Sequence, residues 1–336
     1  MASYKPPLSS RLSSGQLLLD FNERSSPLEE KILNKLKTWI DSSTTHVYPD
    51  YDGVLEKISE YTSAKPKNLF IGNGSDQLID CVFRAILDST GTVILPAPSF
   101  AMYRQLASLC ECKIETYNLL AENPLDELKK ACEKKPRMIV LCQPNNPTGQ
   151  LLDLDFIDQL IKENPGTWFF IDEAYYEFSG MTQFEVSGIC ENLIITRTFS
   201  KAFGLAALRL GYMICSENLI EQCLKIRGPY DINQFSCEAA KIVLDHVEDI
   251  RNYCNEVMNH SKTLLEQKLK DLNINFIESS SNFILIRNEL DLIDHFKRKG
   301  IRVRKMSQPE LQESFRLSIG DKDALACTLD ALNSYR

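Results

Sequence analysis

The sequence predicts an α/β fold, with a large domain built on a mostly parallel central sheet and a smaller α+β domain. Short apolar runs alternate with helix-like segments from Leu69 to Ile214, which is the pattern of repeated βαβ units. Polar motifs follow these runs directly, where ligands bind in open α/β sheets. From Glu217 onward the pattern changes to long amphipathic segments, which predict long helices. We expect an N-terminal arm and helix associated with the small domain (1–45), the large domain (46–216), and linking helices with the small domain (217–336).

The composition is that of an ordinary globular protein, with 336 residues of which 43% are hydrophobic and 25% charged. A net charge of −8 argues against nucleic acid as a main partner, because phosphate backbones select basic surfaces. Eleven cysteines are scattered without zinc-like spacing, so we expect no metal, reduced thiols and a cytoplasmic location. No run approaches the ~20 apolar residues of a membrane span.

The N-terminal region predicts an arm and two helices. Residues 1–26 are rich in Ser and Pro, with Leu17–Phe21 as a short apolar strand; such a segment is often a frayed end. Apolar residues at helical spacing predict helices over Leu28–Ile40 and Val54–Thr62, with a turn between them.

The apolar runs of the large domain predict buried strands, and the small domain adds more. Strands of the large domain begin at Leu69, Thr92, Met138, Trp168 and Leu193, and Ala206–Cys215 returns into the domain. Phe235–Leu269 reads as one long helix, about 50 Å if continuous. The small domain has predicted strands at Ile274–Ile277, Phe283–Ile286 and Phe315–Ile319.

One segment combines an amine, hydroxyls and a guanidinium. Lys201 is flanked by Thr198 and Ser200, and Arg209 follows eight positions later. A buried lysine near other cations has a lowered pKa, so its neutral amine can condense with an aldehyde. Hydroxyls and an arginine can hold a phosphate. The segment therefore predicts a site for a phosphorylated aldehyde, although alone it fits two solvated helix residues as well.

Two further strand ends carry polar groups. After the strand at Leu69, Gly74, Ser75 and Asp76 open a helix whose free amides suit an anion; the alternative is an ordinary N-cap. Asp172 ends the strand from Trp168, and a carboxylate emerging from an apolar run is costly unless it meets a cation. The alternative for Asp172 is a helix cap.

Three motifs together carry a family resemblance. Thr198–Tyr212 and the upstream motifs Gln143–Gly149 and Ile171–Tyr175 resemble those of the fold-type I, pyridoxal-phosphate-dependent aminotransferases. Within this family the chain is most similar to the histidinol-phosphate aminotransferases, from about Tyr4 to Gly320. The resemblance implies the PLP-dependent transferase fold, pyridoxal 5′-phosphate as cofactor, a phosphorylated amino donor, 2-oxoglutarate as acceptor, and a homodimer with shared active sites.

The resemblance also assigns roles to residues. Lys201 would condense with the cofactor and move the substrate proton, Asp172 would hold the ring nitrogen protonated, and Tyr175 would bond the phenolic oxygen. These three would be the catalytic residues. The cofactor-binding residues would be Gly74, Ser75, Asp76, Phe100, Asn146, Asp172, Tyr175, Thr198, Ser200, Lys201, Arg209 and, from the neighbouring subunit, Tyr48.

The predicted substrate site lies on the arm and the small domain. Arg316 would bind the α-carboxylate, or the hydroxymethyl end of an amino alcohol, and Arg304 would bind the substrate phosphate unless it is a surface residue. Tyr4 and Asn22 would approach the substrate from the arm. Two positions depart from the family pattern: Gln77 stands where Glu is usual, and Gln143 where Asn is usual.

Three other functions remain open from the sequence. The cofactor motifs also fit an aromatic-amino-acid aminotransferase or a threonine-phosphate decarboxylase, because they serve the chemistry that these enzymes share. From a different class, a non-catalytic binding protein could retain the fold. Initial rates with the rival substrates, and visible absorption of a lysine-bound cofactor, separate these cases.

Overall fold

The structure, a computed structural model, describes residues 11, 15–42 and 45–335. Its strands are β1 (Leu17–Leu18), β2 (Leu69–Gly72), β3 (Thr92–Ala97), β4 (Lys113–Asn118), β5 (Met138–Cys142), β6 (Trp168–Asp172), β7 (Leu193–Thr198), β8 (Gly211–Ile214), β9 (Asn275–Ile277), β10 (Phe283–Arg287), β11 (Ile301–Arg302), β12 (Arg304–Lys305) and β13 (Ser314–Ser318). They form a large mixed sheet and smaller sheets, so the predicted α/β class is confirmed.

Helices cover the large sheet and link it to the C-terminal part. They are α1 (Glu30–Ser42), α2 (Asp52–Thr62), α3 (Gly74–Ile86), α4 (Ala101–Leu109), α5 (Pro124–Glu133), α6 (Leu154–Glu163), α7 (Tyr176–Ser179), α8 (Gln183–Ser187), α9 (Glu217–Leu224), α10 (Gln234–Leu244), α11 (Val247–Asn255), α12 (Lys262–Asp271), α13 (Asp291–Arg298) and α14 (Lys322–Asn333). Short 3₁₀ turns lie at Pro66–Asn68, Ala206–Leu208 and Pro309–Leu311.

The large sheet has seven strands in the order β2-β8-β7-β6-β5-β3-β4. All neighbouring pairs are parallel except those of β8, which is antiparallel to both β2 and β7. Helical crossovers between the parallel strands bring their carboxyl ends to one edge of the sheet. The polar motifs that follow β5, β6 and β7 therefore meet at that edge.

The central strands are apolar along their length because helices cover both faces of the sheet. Successive side chains alternate between two buried clusters: Ile139 and Phe169 lie in one, and Met138 and Phe170 in the other. Unbroken apolar runs are the sequence signal of such strands. The predicted strands of the large domain begin where β2, β3, β5, β6 and β7 begin.

The C-terminal part has a four-stranded antiparallel sheet in the order β12-β13-β10-β9. The N-terminal strand β1 pairs in parallel with β11, so the segment around residue 18 lies against the C-terminal part. The domain limits at residues 45 and 216 stay a prediction.

The prediction of a single long helix over Phe235–Leu269 is wrong. The chain leaves helical structure between α10 and α11, and a π-helical stretch, Glu256–Ser261, precedes α12. The helix ends here because its two halves pack on different partners: α10 contacts α1 and α2, whereas α12 contacts α14. A straight rod could not follow both surfaces.

The described residues contain neither a membrane-spanning helix nor a cluster of metal-ligating side chains. Among residues 11, 15–42 and 45–335, no helix combines the length and the apolar character needed to cross a bilayer. The same residues contain no cluster of three or more His, Cys, Asp or Glu side chains arranged to hold a metal ion.

Candidate active site

A cavity of about 110 Å³ lies at the carboxyl ends of β5, β6 and β7. We call it the inner cavity. Asp172 is the last residue of β6 and Thr198 the last of β7, and the loops after β5 and β7 supply Asn146 and Lys201. Its lining residues are Ser75, Asp76, Phe100, Tyr103, Cys142, Asn146, Asp172, Ala174, Tyr175, Thr198, Ser200, Lys201 and Arg209. Most of the residues predicted to bind a cofactor are therefore brought together.

Lys201 projects its amine into this cavity. Its Nζ donates a hydrogen bond of 2.8 Å to the backbone carbonyl of Phe21, on the N-terminal segment. Burial, reinforced by the nearby Arg316 charge, lowers the pKa of the Lys201 amine from 10.5 to about 8. A neutral amine, the form that attacks an aldehyde, is thus accessible near neutral pH.

Asp172 is buried and lines the same cavity. Its carboxylate accepts a hydrogen bond of 2.6 Å from the Tyr103 hydroxyl and one of 3.1 Å from the Ala174 amide. Burial raises the pKa of Asp172 to about 6, while these hydrogen bonds act to lower it. The following helix, α7, starts only at Tyr176 with Tyr175 as its N-cap, so Asp172 is not that helix's cap.

The phosphate end of the predicted site is formed by the start of α3 and by Arg209. Asn73 is the N-cap of α3 and makes no side-chain capping bond, so the alternative of an N-cap by Ser75 or Asp76 does not hold. A Cβ atom at Gly74 would lie 2.5 Å from Nη2 of Arg209. Gly74 has φ +76° and Arg209 φ +55°. The missing side chain at Gly74 lets the guanidinium lie over the helix N-terminus.

The Arg209 guanidinium contacts polar side chains from both α3 and the loop after β7. Nη2 lies 3.0 Å from the Asp76 carboxylate, and Nη1 donates to Ser200 Oγ at 3.4 Å. The Ser200 amide donates to Thr198 Oγ1 at 3.1 Å. Uncapped helix amides, hydroxyls and a guanidinium therefore converge, which is a donor set for a phosphate group.

Tyr175 and Asn146 lie on the side of the cavity nearer to the C-terminal sheet. The Tyr175 hydroxyl accepts a hydrogen bond of 3.0 Å from Asn22 Nδ2, and burial raises its pKa, so the phenol stays protonated and able to donate. Asn146 Oδ1 accepts a hydrogen bond of 2.5 Å from Arg316. That leaves the Asn146 amide as a donor towards a ligand.

A second cavity of about 250 Å³, which we call the outer cavity, adjoins the inner one. The two share Phe100, Asn146, Tyr175 and Lys201. Arg304 on β12 and Arg316 on β13 both line the outer cavity and are cross-strand partners, so their side chains leave the same face of the sheet. Arg316 also donates to the Asp20 carbonyl at 2.7 Å. Two guanidiniums therefore face one space beside Lys201.

Three predicted residues lie elsewhere. Asn22 is buried behind Tyr175 and lines neither cavity, because its amide bonds Tyr175 and its Oδ1 accepts from Ser318. Tyr48 is 73% exposed and stacks on Tyr230, away from this chain's inner cavity. Tyr4 lies outside the described residues.

Sequence reasoning missed two features of the site. Tyr103, the hydrogen-bond partner of Asp172, lies three residues after Phe100 at the start of α4; an aromatic residue one turn beyond a predicted ligand contact is the signal that could have found it. The carbonyls of Asp20 and Phe21, which accept from Arg316 and Lys201, gave no signal, since any residue type carries a backbone carbonyl.

The residues present fit pyridoxal 5′-phosphate. The donors formed by the α3 amides, Ser200 and Arg209 above Gly74, which we call the phosphate cradle, suit its phosphate. The lowered pKa of Lys201 suits its aldehyde. The buried Asp172 lacks a cationic partner within the described cavity lining, so it can bind the ring nitrogen. Tyr175 and Asn146 both line the inner cavity and can donate hydrogen bonds, which suits the phenolic oxygen. Each group of this cofactor thus has a residue of matching chemistry.

Known proteins resemble this chain over nearly its whole length. A histidinol-phosphate aminotransferase of Ruminiclostridium cellulolyticum is 35% identical, over 94% of this chain and 92% of that protein. A dihydroxyacetone phosphate transaminase of Campylobacter jejuni is 32% identical, over 96% and 90%. The structure of the Sinorhizobium meliloti histidinol-phosphate aminotransferase in complex with pyridoxal-5′-phosphate superposes with a TM-score of 0.87 at 21% identity, covering 100% and 96%.

At 21% identity the structural likeness establishes the fold, and the sequence matches establish the family. The resemblance inferred from the motifs at Gln143, Ile171 and Thr198 is thereby confirmed. A sequence model described as aminotransferase class I and II matches residues 10–332. The chain belongs to the aminotransferase class I and II family.

Proposed function

We propose that the protein is a pyridoxal-phosphate-dependent aminotransferase that passes the amino group of histidinol phosphate to 2-oxoglutarate. The products would be imidazole acetol phosphate and glutamate, as a step of histidine biosynthesis. The observation that carries the proposal is the pair of adjoining cavities, in which the Lys201 amine borders both a phosphate cradle and a space with two arginines. Several histidinol-phosphate aminotransferases among the relatives support it.

Residues of the inner cavity would hold the cofactor. The α3 amides, Ser200 and Arg209 would bind its phosphate, and Asp172 would bind its ring nitrogen. When bound, pyridoxal phosphate supplies an aldehyde that condenses with amines and a ring that withdraws electrons from the substrate Cα. Burial and the hydrogen bond from Tyr103 fix the Asp172 carboxylate in place, so it would be preorganised to bind the ring nitrogen.

Lys201 would then carry the proton chemistry. With the cofactor bound, the Lys201 amine would act as the general base towards the proton on the substrate Cα and then, once protonated, as the general acid. A lysine pKa of about 8 suits both tasks, since general acid–base catalysis works best when the pKa is close to the working pH. Tyr175 would orient the ring by donating to its phenolic oxygen.

The outer cavity would hold the remainder of each substrate. We assign Arg304 to the phosphate of histidinol phosphate and Arg316 to the α-carboxylate of glutamate or 2-oxoglutarate. Both side chains leave one face of the β12–β13 pair, so one space can serve two substrates that differ in which anionic group they carry. The bond from Arg316 to Asn146 would link carboxylate binding to the cofactor's phenolic oxygen.

A comparison of initial rates tests the substrate assignment. Holoenzyme is assayed with histidinol phosphate, phenylalanine and threonine phosphate, each with 2-oxoglutarate, while carbon dioxide release is followed in parallel. We expect the first to give the highest kcat/KM and no carbon dioxide from the third. Faster turnover of phenylalanine, or decarboxylation of threonine phosphate, would replace this assignment by one of the rivals.

A second candidate is the amination of dihydroxyacetone phosphate. The Campylobacter jejuni relative at 32% identity has that printed activity, and a phosphorylated ketone would use the same Arg304 site. The two substrates differ in size, because histidinol phosphate carries an imidazole ring that dihydroxyacetone phosphate lacks. Histidinol phosphate would therefore fill more of the outer cavity. Glutamate-dependent amination of dihydroxyacetone phosphate at a kcat/KM above that of histidinol phosphate would favour the second.

We further propose a homodimer in which Tyr48 completes the neighbouring active site. Tyr48 and Tyr230 stack with ring centroids 4.2 Å apart and stay 73% and 57% exposed. Val47 and Phe235 line a common cavity with Tyr48 and add exposed apolar surface. Exposed aromatic patches of this kind mark protein–protein interfaces. A second copy is the occupant that would bring Tyr48 to a cofactor phosphate.

A cytoplasmic location is the last part of the proposal. All eleven cysteines are free, and most of them are buried. Burial raises the pKa of several of these thiols, Cys81 and Cys132 among them, which keeps them protonated and unreactive. Free thiols in this number are typical of a reducing compartment.

A further inference from the structure

A chain of polar contacts fixes the turn between β2 and α3 from outside the cavity. Gln77 on α3 accepts a hydrogen bond of 2.6 Å from the Asn73 amide through Oε1. Its Nε2 donates to Asp231 Oδ2 at 2.7 Å. Asp231 Oδ1 in turn lies 2.6 Å from Nη2 of Arg227. The contacts thus run from the turn to the segment between α9 and α10.

The direction of both hydrogen bonds made by Gln77 is fixed, and so is the sign of the Arg227–Asp231 ion pair. A backbone amide can only donate, so Gln77 must turn its oxygen towards Asn73 and its NH₂ towards Asp231. A guanidinium also only donates, so the group at position 231 must offer Arg227 an oxygen. Gln77 and Asp231 are therefore interdependent: a donor at 77 requires an acceptor at 231.

The segment between α9 and α10 makes two more hydrogen bonds to the turn between β2 and α3. Asn73 Nδ2 donates to the Asp231 carbonyl at 3.2 Å, and Arg227 Nη1 donates to the Ile71 carbonyl at 2.5 Å. Arg227 is also stacked near Phe70, 4.7 Å from its ring centroid. Because Asn73 has no capping bond of its own side chain, these outside contacts set where α3 begins.

We infer that Gln77 and Asp231 are positioning residues for the phosphate cradle. Neither lines the inner cavity, but they hold the turn whose next residues, Gly74 and Ser75, offer amides beneath Arg209. The structure also gives a reason for an amide at position 77: with Asp231 opposite, a carboxylate there would place two negative charges in contact. The inference rests on the proposed cofactor.

The test is a reciprocal exchange of the two groups. Gln77→Glu alone sets two carboxylates against each other, and Asp231→Asn alone sets two NH₂ groups against each other, because neither neighbour allows a flip. Each single variant should weaken pyridoxal phosphate binding about tenfold or more, the scale of a broken part-buried hydrogen bond.

The double variant restores the pairing with donor and acceptor exchanged. The new amide at position 231 would donate to the new carboxylate at position 77, and its oxygen would still accept from Arg227. The affinity for pyridoxal phosphate should therefore return to within about threefold of the original value.

Dissociation constants for pyridoxal phosphate and for pyridoxal, which lacks the phosphate, are measured on cofactor-stripped protein. The losses should appear with pyridoxal phosphate and be small with pyridoxal. Gln222→Glu, the same change on the exposed face of α9 where Gln222 accepts from Lys225, is the matched control and should change neither constant.

The outcomes separate this inference from the proposed function. If the unaltered protein fails to bind pyridoxal phosphate, the proposed cofactor is wrong. If it binds and the single variants bind equally well, or the double variant is no better than the singles, the positioning role is wrong. Equal losses with pyridoxal and pyridoxal phosphate would also overturn it, since they would indicate general damage to the fold.

Discussion

Single residues set the protonation states on which the proposed chemistry depends. Asp172 is buried and Lys201 is half-buried. Burial moves their pKa values in opposite directions, down to about 8 for the amine and up to about 6 for the carboxyl. Between those values the amine is becoming neutral while the carboxylate is charged. These protonation states would suit the proposed aldehyde at Lys201 and the proposed ring cation at Asp172.

The Lys201 amine gives a first prediction. A lowered pKa means that the proton leaves at lower pH, so the rate at which pyridoxal phosphate attaches to cofactor-stripped protein should rise with pH and level off above about pH 8. Stopped-flow absorbance measures the rate, and borohydride trapping with mass spectrometry places the label on Lys201. Arg316→Gln removes a charge that lowers this pKa and should move the midpoint to higher pH.

The matched control for that variant is Arg104→Gln, which removes a charge from the exposed side of α4 and should leave the midpoint unchanged. A rate that keeps rising to about pH 10 in the unaltered protein would show that Lys201 has an ordinary pKa. The burial argument for its reactivity would then be lost.

Tyr103 gives a second prediction. Its hydroxyl donates to the Asp172 carboxylate at 2.6 Å and acts to lower a pKa that burial raises. Tyr103→Phe should therefore raise the Asp172 pKa above about 6 and shift the acid limb of kcat to higher pH, because activity falls as the carboxylate becomes protonated. Carboxyl NMR titration of cofactor-stripped protein measures the same shift without turnover.

Tyr117→Phe is the control for the second prediction. Tyr117 is also buried, but its hydroxyl donates to the Val140 carbonyl at 3.2 Å. Loss of this buried hydroxyl should leave the Asp172 titration where it was. An unshifted titration in Tyr103→Phe would show that the tyrosine only fills space.

The sequence predicted side chains with distinctive chemistry better than it predicted their supports. Lys201, Asp172 and Arg209, which line the inner cavity, were predicted because an amine, an acid and a guanidinium beside apolar runs need a partner. Tyr103 was missed because a tyrosine among apolar residues reads as core. Asn22 was assigned to the substrate, yet its amide is used by Tyr175, and sequence gives no measure of which polar groups already have partners.

At the scale of elements, a buried ion pair joins the ends of two central strands. Glu173 follows β6, and Arg197 lies within β7; Nη2 of Arg197 is 2.9 Å from Oε2 of Glu173, and both side chains are buried. Thr182 Oγ1 and the Gln183 amide also donate to this carboxylate. The pair therefore fixes Asp172 relative to Thr198, because each is the chain neighbour of one partner.

Removing one partner gives a third prediction. Glu173→Ala leaves the buried Arg197 charge without its carboxylate and should lower the free energy of unfolding by about 3–5 kcal/mol. Chemical denaturation measures the change. Glu115→Ala, which removes a carboxylate paired with Lys113 and Lys134 at the surface, should have a much smaller effect. Equal losses in the two variants would contradict the prediction.

Helices and strands were predictable where the hydrophobic pattern of the sequence matches the burial of the element in the fold. The parallel strands β3, β5, β6 and β7 are buried on both faces and read as apolar runs. The edge strand β4 was not identified, because its exposed charged residues hide the signal. The break after α10 was missed because no Gly or Pro marks it; the turn is imposed by what each half packs against.

At the scale of the whole molecule, the proposed dimer gives a fourth prediction. Lys201→Ala removes the amine, and Tyr48→Ala removes the group that would reach the neighbouring site. In a mixed dimer one site carries both defects and the other carries neither. Equal mixing, with subunit exchange, should therefore restore about a quarter of the original activity from two defective variants.

Native mass spectrometry of the mixture, in which the two variants differ in subunit mass, checks that mixed dimers form. If Tyr48 served its own subunit, every site in the mixture would retain one defect and activity would stay at the average of the two variants. That result would remove Tyr48 from the shared site while leaving the cofactor assignment of Lys201 untouched.

The reversed direction of β8 has a consequence for how such sites can be exchanged between proteins. Because β8 runs back alongside β7, Lys201 and Arg209 both lie on the connection between two adjacent strands and reach the same rim. A parallel strand would have sent Arg209 to the far rim. The amine proposed to react with the aldehyde and the arginine proposed to bind its phosphate thus lie on one short hairpin, and a graft of residues 193–214 into another protein would carry both together.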